Sequence, residues 1–274
     1  MSTIIVAGNV NHDRIWRLDG PLRAGDRLTY ETMEVRLGGG GYSTGSMLRE
    51  LGHEVAIVCV LMDDEPGRAA LETLVTEGFD TRYVSMAPGQ TPIVEILVDS
   101  EGERTIIGQM KGGKPAPKAS ILRNCRADAA YINMRNLEPE MAGDIATVPL
   151  VLSHLPLNTM MQRPADIMIA SRADFDGQGQ AEIWGTAQAI AGKRLSSLIL
   201  TDGPDPICIL DSETSRLVTP TRNAGLADTT GAGDFFAGAY LSCLLNGDAP
   251  ERAAGEASAL TVAKLLRRQV APEQ

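Results

Sequence analysis

Several short apolar runs in this chain are continuous rather than alternating, Ile4-Ile5-Val6-Ala7 and Leu198-Ile199-Leu200 among them. A strand with no polar face has nothing to offer to water, so it belongs in a sheet covered on both sides. Strands are predicted at 3–8, 54–60, 128–132, 148–152, 166–169, 197–201 and 206–210. Helical patterns lie at 43–51, 65–77, 139–146, 182–191, 233–246 and 250–267. This order predicts a parallel sheet with helices on both faces.

Two stretches depart from that rule. Residues 14–37 and 91–107 alternate, and Asp99-Ser100-Glu101-Gly102 punctuates the second like a hairpin turn. They predict a small antiparallel sheet inserted into the α/β body, placed to act as a lid that excludes water. With 274 residues, one domain across 1–274 is expected, with lid segments near 14–37 and 91–108.

The formal net charge of −10 opposes nucleic acid and anionic membranes. An anionic ligand must therefore be held by local groups. No run approaches the about 18 apolar residues of a membrane span, and the first residues read as a strand rather than a signal peptide. Cys59, Cys125, Cys208 and Cys243 form no Cys-x-x-Cys pair, and three of them sit in apolar runs. Buried thiols in a reducing, cytoplasmic compartment are expected. His12, His53 and His154 show no zinc spacing.

The chemistry concentrates in Asp228-Thr229-Thr230-Gly231-Ala232-Gly233-Asp234-Phe235-Phe236-Ala237-Gly238-Ala239-Tyr240. Small residues open a helix there. A helix N-terminus presents unpaired N–H groups and partial positive charge, and bare backbone lets a phosphate approach them. Asp234 in the first turn is either a helix cap or a base that orients a substrate hydroxyl.

This run resembles the C-terminal signature of the ribokinase-like (PfkB) carbohydrate kinases. The resemblance implies a three-layer α/β sandwich with a mostly parallel central sheet and a small β-sheet lid. It implies transfer of the γ-phosphate of ATP, with Mg2+, to a hydroxyl of a sugar-like molecule. Asp234 would be the catalytic base and Gly231, Ala232 and Gly233 the anion hole. Gly8-Asn9-Val10-Asn11-His12-Asp13 is similar to the family's first strand and its sugar-contacting Asp. The block Gly38-Gly39-Gly40-Gly41 resembles its N-terminal glycine motif. Asn11, Asp13, Gly39, Gly40, Ser43 and Arg104 are thereby expected on the substrate side. Ser171, Thr201, Gly203, Thr230 and Ser258 are expected on the nucleotide side, with Asp174 at the metal. A homodimer formed through the lid is expected as well.

Three positions depart from the family pattern. Ser43, Ser171 and Ser258 stand where Asn is usual, and Asp174 stands for a Glu. These departures leave open a second reading, a weakly active or inactive sugar- or nucleoside-binding protein. The family's Gly-Ala turn that helps hold a monovalent cation is replaced by Leu265-Leu266-Arg267-Arg268-Gln269-Val270, so potassium dependence is not expected. Gly108-Gln109-Met110-Lys111-Gly112-Gly113-Lys114-Pro115 nearly spells a phosphate-binding P-loop. Pro115 lacks the hydroxyl such a loop uses for magnesium, so this class is set aside. Arg14, Arg17, Arg36 and Arg104 are able to meet a sugar phosphate only if they converge, and mixed surface charge is the default expectation.

Overall fold

The computed structural model describes residues 1–108, 117, 122, 125–157, 161–175, 177–222, 226 and 228–270. The P-loop-like segment lies outside the described residues beyond Gly108. Among the described residues thirteen strands and six α-helices are defined, in the order β1 (Thr3–Ala7), β2 (Asn11–Leu18), β3 (Tyr30–Gly38), α1 (Gly40–Glu50), β4 (Glu54–Met62), α2 (Glu65–Thr76), β5 (Val84–Ala87), β6 (Ile93–Val98), β7 (Arg104–Ile107) and β8 (Ala129–Ile132). There follow α3 (Pro139–Ile145), β9 (Leu150–His154), β10 (Ile167–Ser171), α4 (Gln180–Ala191), β11 (Ser197–Asp202), β12 (Asp205–Leu210), β13 (Ser215–Val218), α5 (Ala232–Leu245) and α6 (Pro250–Val270).

Nine strands form the large sheet, in the order β13-β12-β11-β10-β9-β8-β1-β4-β5. From β11 through β5 every pairing is parallel. The β11–β12–β13 end is an antiparallel meander. The seven predicted strands all belong to this sheet; β5 and β13 were not anticipated. Each has four residues and is at most half-buried, so neither carries the apolar run that marks an inner strand.

Alternate residues of the inner strands feed different cores. Ile4 and Val6 pack with Met47 and Leu48 of α1, Leu74 of α2, and α5 and α6. Ile5 and Ala7 pack with Met141 and Ile145 of α3. Farther along the sheet, Met168 and Leu198 pack with Ile183 and Ala187 of α4. Helices therefore cover both faces, as the unbroken apolar strands require. Helix α5 is buried continuously from Phe235 to Cys243, because α1 and α6 flank it above the sheet. An all-apolar helix is stable only in such a setting.

The second sheet has four strands, ordered β3-β2-β6-β7. It is mixed rather than purely antiparallel, since β2 and β6 pair in parallel. The hairpin at Asp99 is real: its carboxylate accepts the amides of Glu101 and Glu103, both at 3.0 Å. One face of this sheet buries Ile15, Ile96 and Val98. By register the same face carries Asp13 and Arg36.

Candidate active site

Parallel strands present their carboxyl ends along one edge, and loops leaving that edge build the site. Gly8 and Asn9 follow β1, Asn133 follows β8, Ser171 ends β10, and Thr201 lies near the end of β11. The glycine block then seats α1 against these loops. A Cβ on Gly41 would lie 2.6 Å from the Gly8 carbonyl carbon, and one on Gly40 would lie 2.2 Å from Asn133 Nδ2. A Cβ on Gly38 would lie 1.8 Å from Asp13 Oδ2. These glycines are required by close approach, which the sequence signals only as a cluster.

Asp234 stands in the first turn of α5, after Gly231 in a left-handed conformation at φ 79°. Its carboxylate Oδ1 accepts Asn133 Nδ2 at 3.0 Å, and Asn133 Nδ2 also donates to the Tyr131 hydroxyl at 3.1 Å. Thr44 Oγ1 donates to the Asp234 carbonyl at 2.9 Å. Burial, then the nearby Asp13 carboxylate, push the Asp234 carboxyl up to about 6, against the opposing influence of Arg104 and the Asn133 hydrogen bond. The group is thus a carboxylate at neutral pH with more basicity than a surface Asp. It is not a side-chain cap of its own helix.

The amides around it are divided. Ala232 N–H donates to the Thr229 carbonyl at 3.0 Å, closing the turn. Among the described residues, the amides of Gly231, Gly233 and Asp234 have no such partner. Of the three residues expected to form an anion hole, Ala232 has its amide engaged, and Gly231 and Gly233 keep amides without a backbone partner among the described residues.

The turn separates two cavities. One, of about 860 Å³, is lined by Asn11, Asp13, Gly39, Ser43, Thr230, Gly231 and Asp234, with Arg36, Arg49, Lys264, Arg267 and Arg268 on its walls. The other, of about 230 Å³, is lined by Ser171, Thr201, Gly203, Ala232, Gly233 and Ser258, with apolar Ile207, Pro220, Leu226, Phe236, Val262 and Leu265. Four of the five nucleotide-side residues thus share one slot. Thr230 faces the larger cavity instead, and Arg104 faces the smaller. Gly40 lines neither cavity and packs on Asn133.

Local hydrogen bonds explain several placements. Arg104 Nη1 donates to the Thr229 carbonyl at 2.9 Å and to its hydroxyl at 3.0 Å, which ties β7 of the small sheet to the turn before Asp234. Ser258 Oγ accepts the Thr221 amide at 2.8 Å, so it shapes the slot by holding a loop. Asp228 is buried and surrounded by Arg36 at 2.8 Å, Arg268 at 3.2 Å and Arg17 at 3.6 Å. Burial pushes its carboxyl up, but Arg268, hydrogen bonding from Thr230 and Arg36 outweigh that and hold it at about 2. Arg17 and Arg36 therefore converge on Asp228 rather than standing as mixed surface charge, whereas Arg14 pairs with Glu95 at 2.8 Å.

A divalent cation would find modest protein ligation. Asp174 is exposed in a turn directly after β10, and no group of three or more His, Cys, Asp or Glu side chains suited to a metal occurs among the described residues. Magnesium keeps several waters and takes phosphate oxygens alongside one or two carboxylates, so a single Asp fits a cation that arrives with a nucleotide.

Asn133, hydrogen-bonded to Asp234, and the basic residues of α6 that line the larger cavity were not among the expected site residues. Asn133 had one visible signal, a polar residue closing an apolar strand. The α6 cations had none beyond their departure from the family pattern.

A mostly parallel sheet with helices on both faces, a small second sheet, and a glycine-opened helix between two cavities define a ribokinase-like α/β protein. The model for the pfkB family carbohydrate kinases matches residues 137–272, and the chain belongs to that family of carbohydrate kinases. It is 23% identical over 271 residues to the ATP-dependent ribose-1-phosphate kinase of Halopiger xanaduensis, covering 94% of this chain and 90% of that protein. It is 23% identical over 263 residues to the ribokinase of Haemophilus influenzae, covering 89% and 85%. Among solved structures, ribokinase from Thermotoga maritima superposes with a TM-score of 0.72 at 18% identity, covering 97% of this chain and 100% of that one. A microbiome-derived acarbose kinase superposes with a TM-score of 0.76 at 20% identity, covering 97% of each chain.

Proposed function

We propose that this kinase transfers the γ-phosphoryl group of ATP to a hydroxyl of a sugar-like acceptor, with Asp234 as the base. One observation carries the reading. The α5 N-terminus forms a wall common to a large polar cavity and a smaller, partly apolar slot, with Asp234 facing the first and Gly233 the second. The slot suits a nucleotide: apolar side chains for a base, and Ser171, Thr201 and Gly203 toward phosphates. Asp174 would help hold a magnesium ion arriving with the nucleotide, whose positive charge would offset that of the phosphates.

The acceptor lies in the large cavity, where Asp13 and Asn11 orient its hydroxyls beside Gly39 and Ser43. Asp234 takes the proton of the attacking hydroxyl, and its elevated basicity suits that task. The free amides of Gly231 and Gly233 stabilise charge developing on the transferring group, since fixed dipoles need no reorganisation there. Arg104 links the small sheet to this turn, and closure of that sheet as a lid excludes water as a competing acceptor.

One domain with a lid, cytoplasmic residence and a homodimer through the lid belong to the same reading. The four cysteines are free thiols, and no helix among the described residues is long and apolar enough to cross a membrane. The lid face opposite Asp13 exposes Met33, Val35 and Ile107 at 45–53%, which supports burial against a second copy.

The test is ADP release over a panel of sugars, sugar phosphates, sugar acids and nucleosides, run beside ligand binding. Turnover lowered on the order of 10²-fold or more in Asp234→Asn, with folding intact, is expected. Near-wild-type turnover in that variant rejects the assigned base. Binding without any ADP release favours a non-catalytic binding protein.

A further inference from the structure

Resting on the kinase reading of the large cavity, we propose that the acceptor already carries an anionic group, a phosphate monoester or a carboxylate, held by a basic wall built by α6. The chain has a net charge of −10, yet Arg36, Arg49, Lys264, Arg267 and Arg268 all line this one cavity. Glu50 and Glu77 line the cavity too, beside Asp13 and Asp234, but the ion-paired cations outnumber the carboxylates they pair with. Lys264 and Arg267 share the single carboxylate of Glu50, with Lys264 at 2.6 Å. Arg17, Arg36 and Arg268 share buried Asp228, with Glu34 a looser neighbour at 3.5 Å from Arg36.

The placement of two of these charges is fixed relative to the reaction. Lys264 Nζ lies 5.1 Å and the Arg268 guanidinium carbon 5.7 Å from the centre of the Phe235 ring. The ion pairs with Glu50 and Asp228 hold them there, with cation–π attraction added, and Phe235 is the residue next to Asp234. Positive charge is thus fixed close to the base, although Asp13 and Asp234 repel anions from the middle of the cavity. An acceptor that places its hydroxyl at Asp234 and its anion on the α6 wall satisfies both. A neutral sugar offers these shared cations no further anionic partner. Charge-assisted contacts of this kind are stronger than neutral hydrogen bonds, and forked Arg donors match carboxylate and phosphate oxygens.

The experiment compares matched acceptors: a neutral sugar, its phosphate monoester and its acid. Calorimetric binding to Asp234→Asn protein is measured beside ADP release by the wild type. The charged acceptor is expected to bind at least about tenfold tighter than its neutral counterpart, and added salt is expected to erode that difference. The double variant Lys264→Gln/Arg267→Gln is expected to raise KM for the charged acceptor about tenfold. Glu50→Gln removes the carboxylate that occupies those two cations and is expected to tighten binding, a gain no loss of structure produces. Equal or tighter binding of the neutral sugar overturns the inference, as does a Glu50→Gln protein with unchanged or weaker affinity for the anion. Absence of ADP release with every acceptor would instead sink the kinase reading, while the binding comparison still decides the charge preference. Preference for the acid over the phosphate, or the reverse, identifies which anion the wall accepts.

Discussion

At the scale of single residues, the protein's behaviour turns on Asp234 and its setting. Its folded carboxyl titrates near 6, above the about 3.9 of an unfolded Asp. The ionised form is therefore disfavoured by folding, and the cost is complete above pH 6. It fades as pH falls and is gone below about 4, where both states are protonated. Asp234→Asn should add roughly 1–3 kcal/mol of stability at pH 7.5, read as a higher Tm, and the gain should vanish near pH 4 in thermal scans. As the proposed base, Asp234 must be deprotonated to act, so kcat/KM should climb with pH through about 6 and then level off. The Asn133 hydrogen bond stabilises the ionised form. Asn133→Ala should therefore shift the acid limb of that profile to higher pH and lower kcat. An unmoved limb would show that Asn133 serves packing alone.

At the scale of elements, the site depends on how closely α1 approaches the β1–β2 connection. Gly41 and Gly8 meet backbone to backbone, a contact with no flexible side chain to give way. Gly41→Ala should cost about 1–3 kcal/mol and lower Tm. It should also lower turnover, because Gly39, Ser43 and Thr44 move with the helix start. Helix α5 makes the same point. Its apolar composition is uninformative about direction until α1 and α6 are seen to flank it, and its first turn is useful only because Thr44 fixes its backbone. The strands of the small sheet are legible as alternation, but the parallel β2–β6 pairing is not. Both segments fit a hairpin equally well, and only long-range register distinguishes the alternatives.

At the scale of the whole molecule, the small sheet presents one face to the cavity and another to solvent. Exposed Met33, Val35 and Ile107 on the outer face predict self-association through it. Sedimentation should show a dimer for the wild type and a monomer for Val35→Glu/Ile107→Glu, with a small change in Tm because both side chains are already exposed. A wild-type monomer at micromolar concentration would remove the lid dimer from the functional reading.

The sequence by itself determined the doubly covered parallel sheet, the positions of its main helices, the existence of the second sheet and the segment around Asp234. Those follow from local rules, namely apolar periodicity, turn chemistry and a helix opened by glycine. Tertiary structure alone decided which groups meet. Asn133 reaches Asp234 across 101 residues, Arg36 reaches Asp228 across 192, and Lys264 reaches Glu50 across 214. Such pairings leave no local periodicity, because they are set by where the strand ends and helices converge once the cores are packed. The engaged amide of Ala232, the place of Arg104 at the smaller cavity and the basic wall of the larger one belong to the same category, since each is a consequence of distance in space between residues remote along the chain.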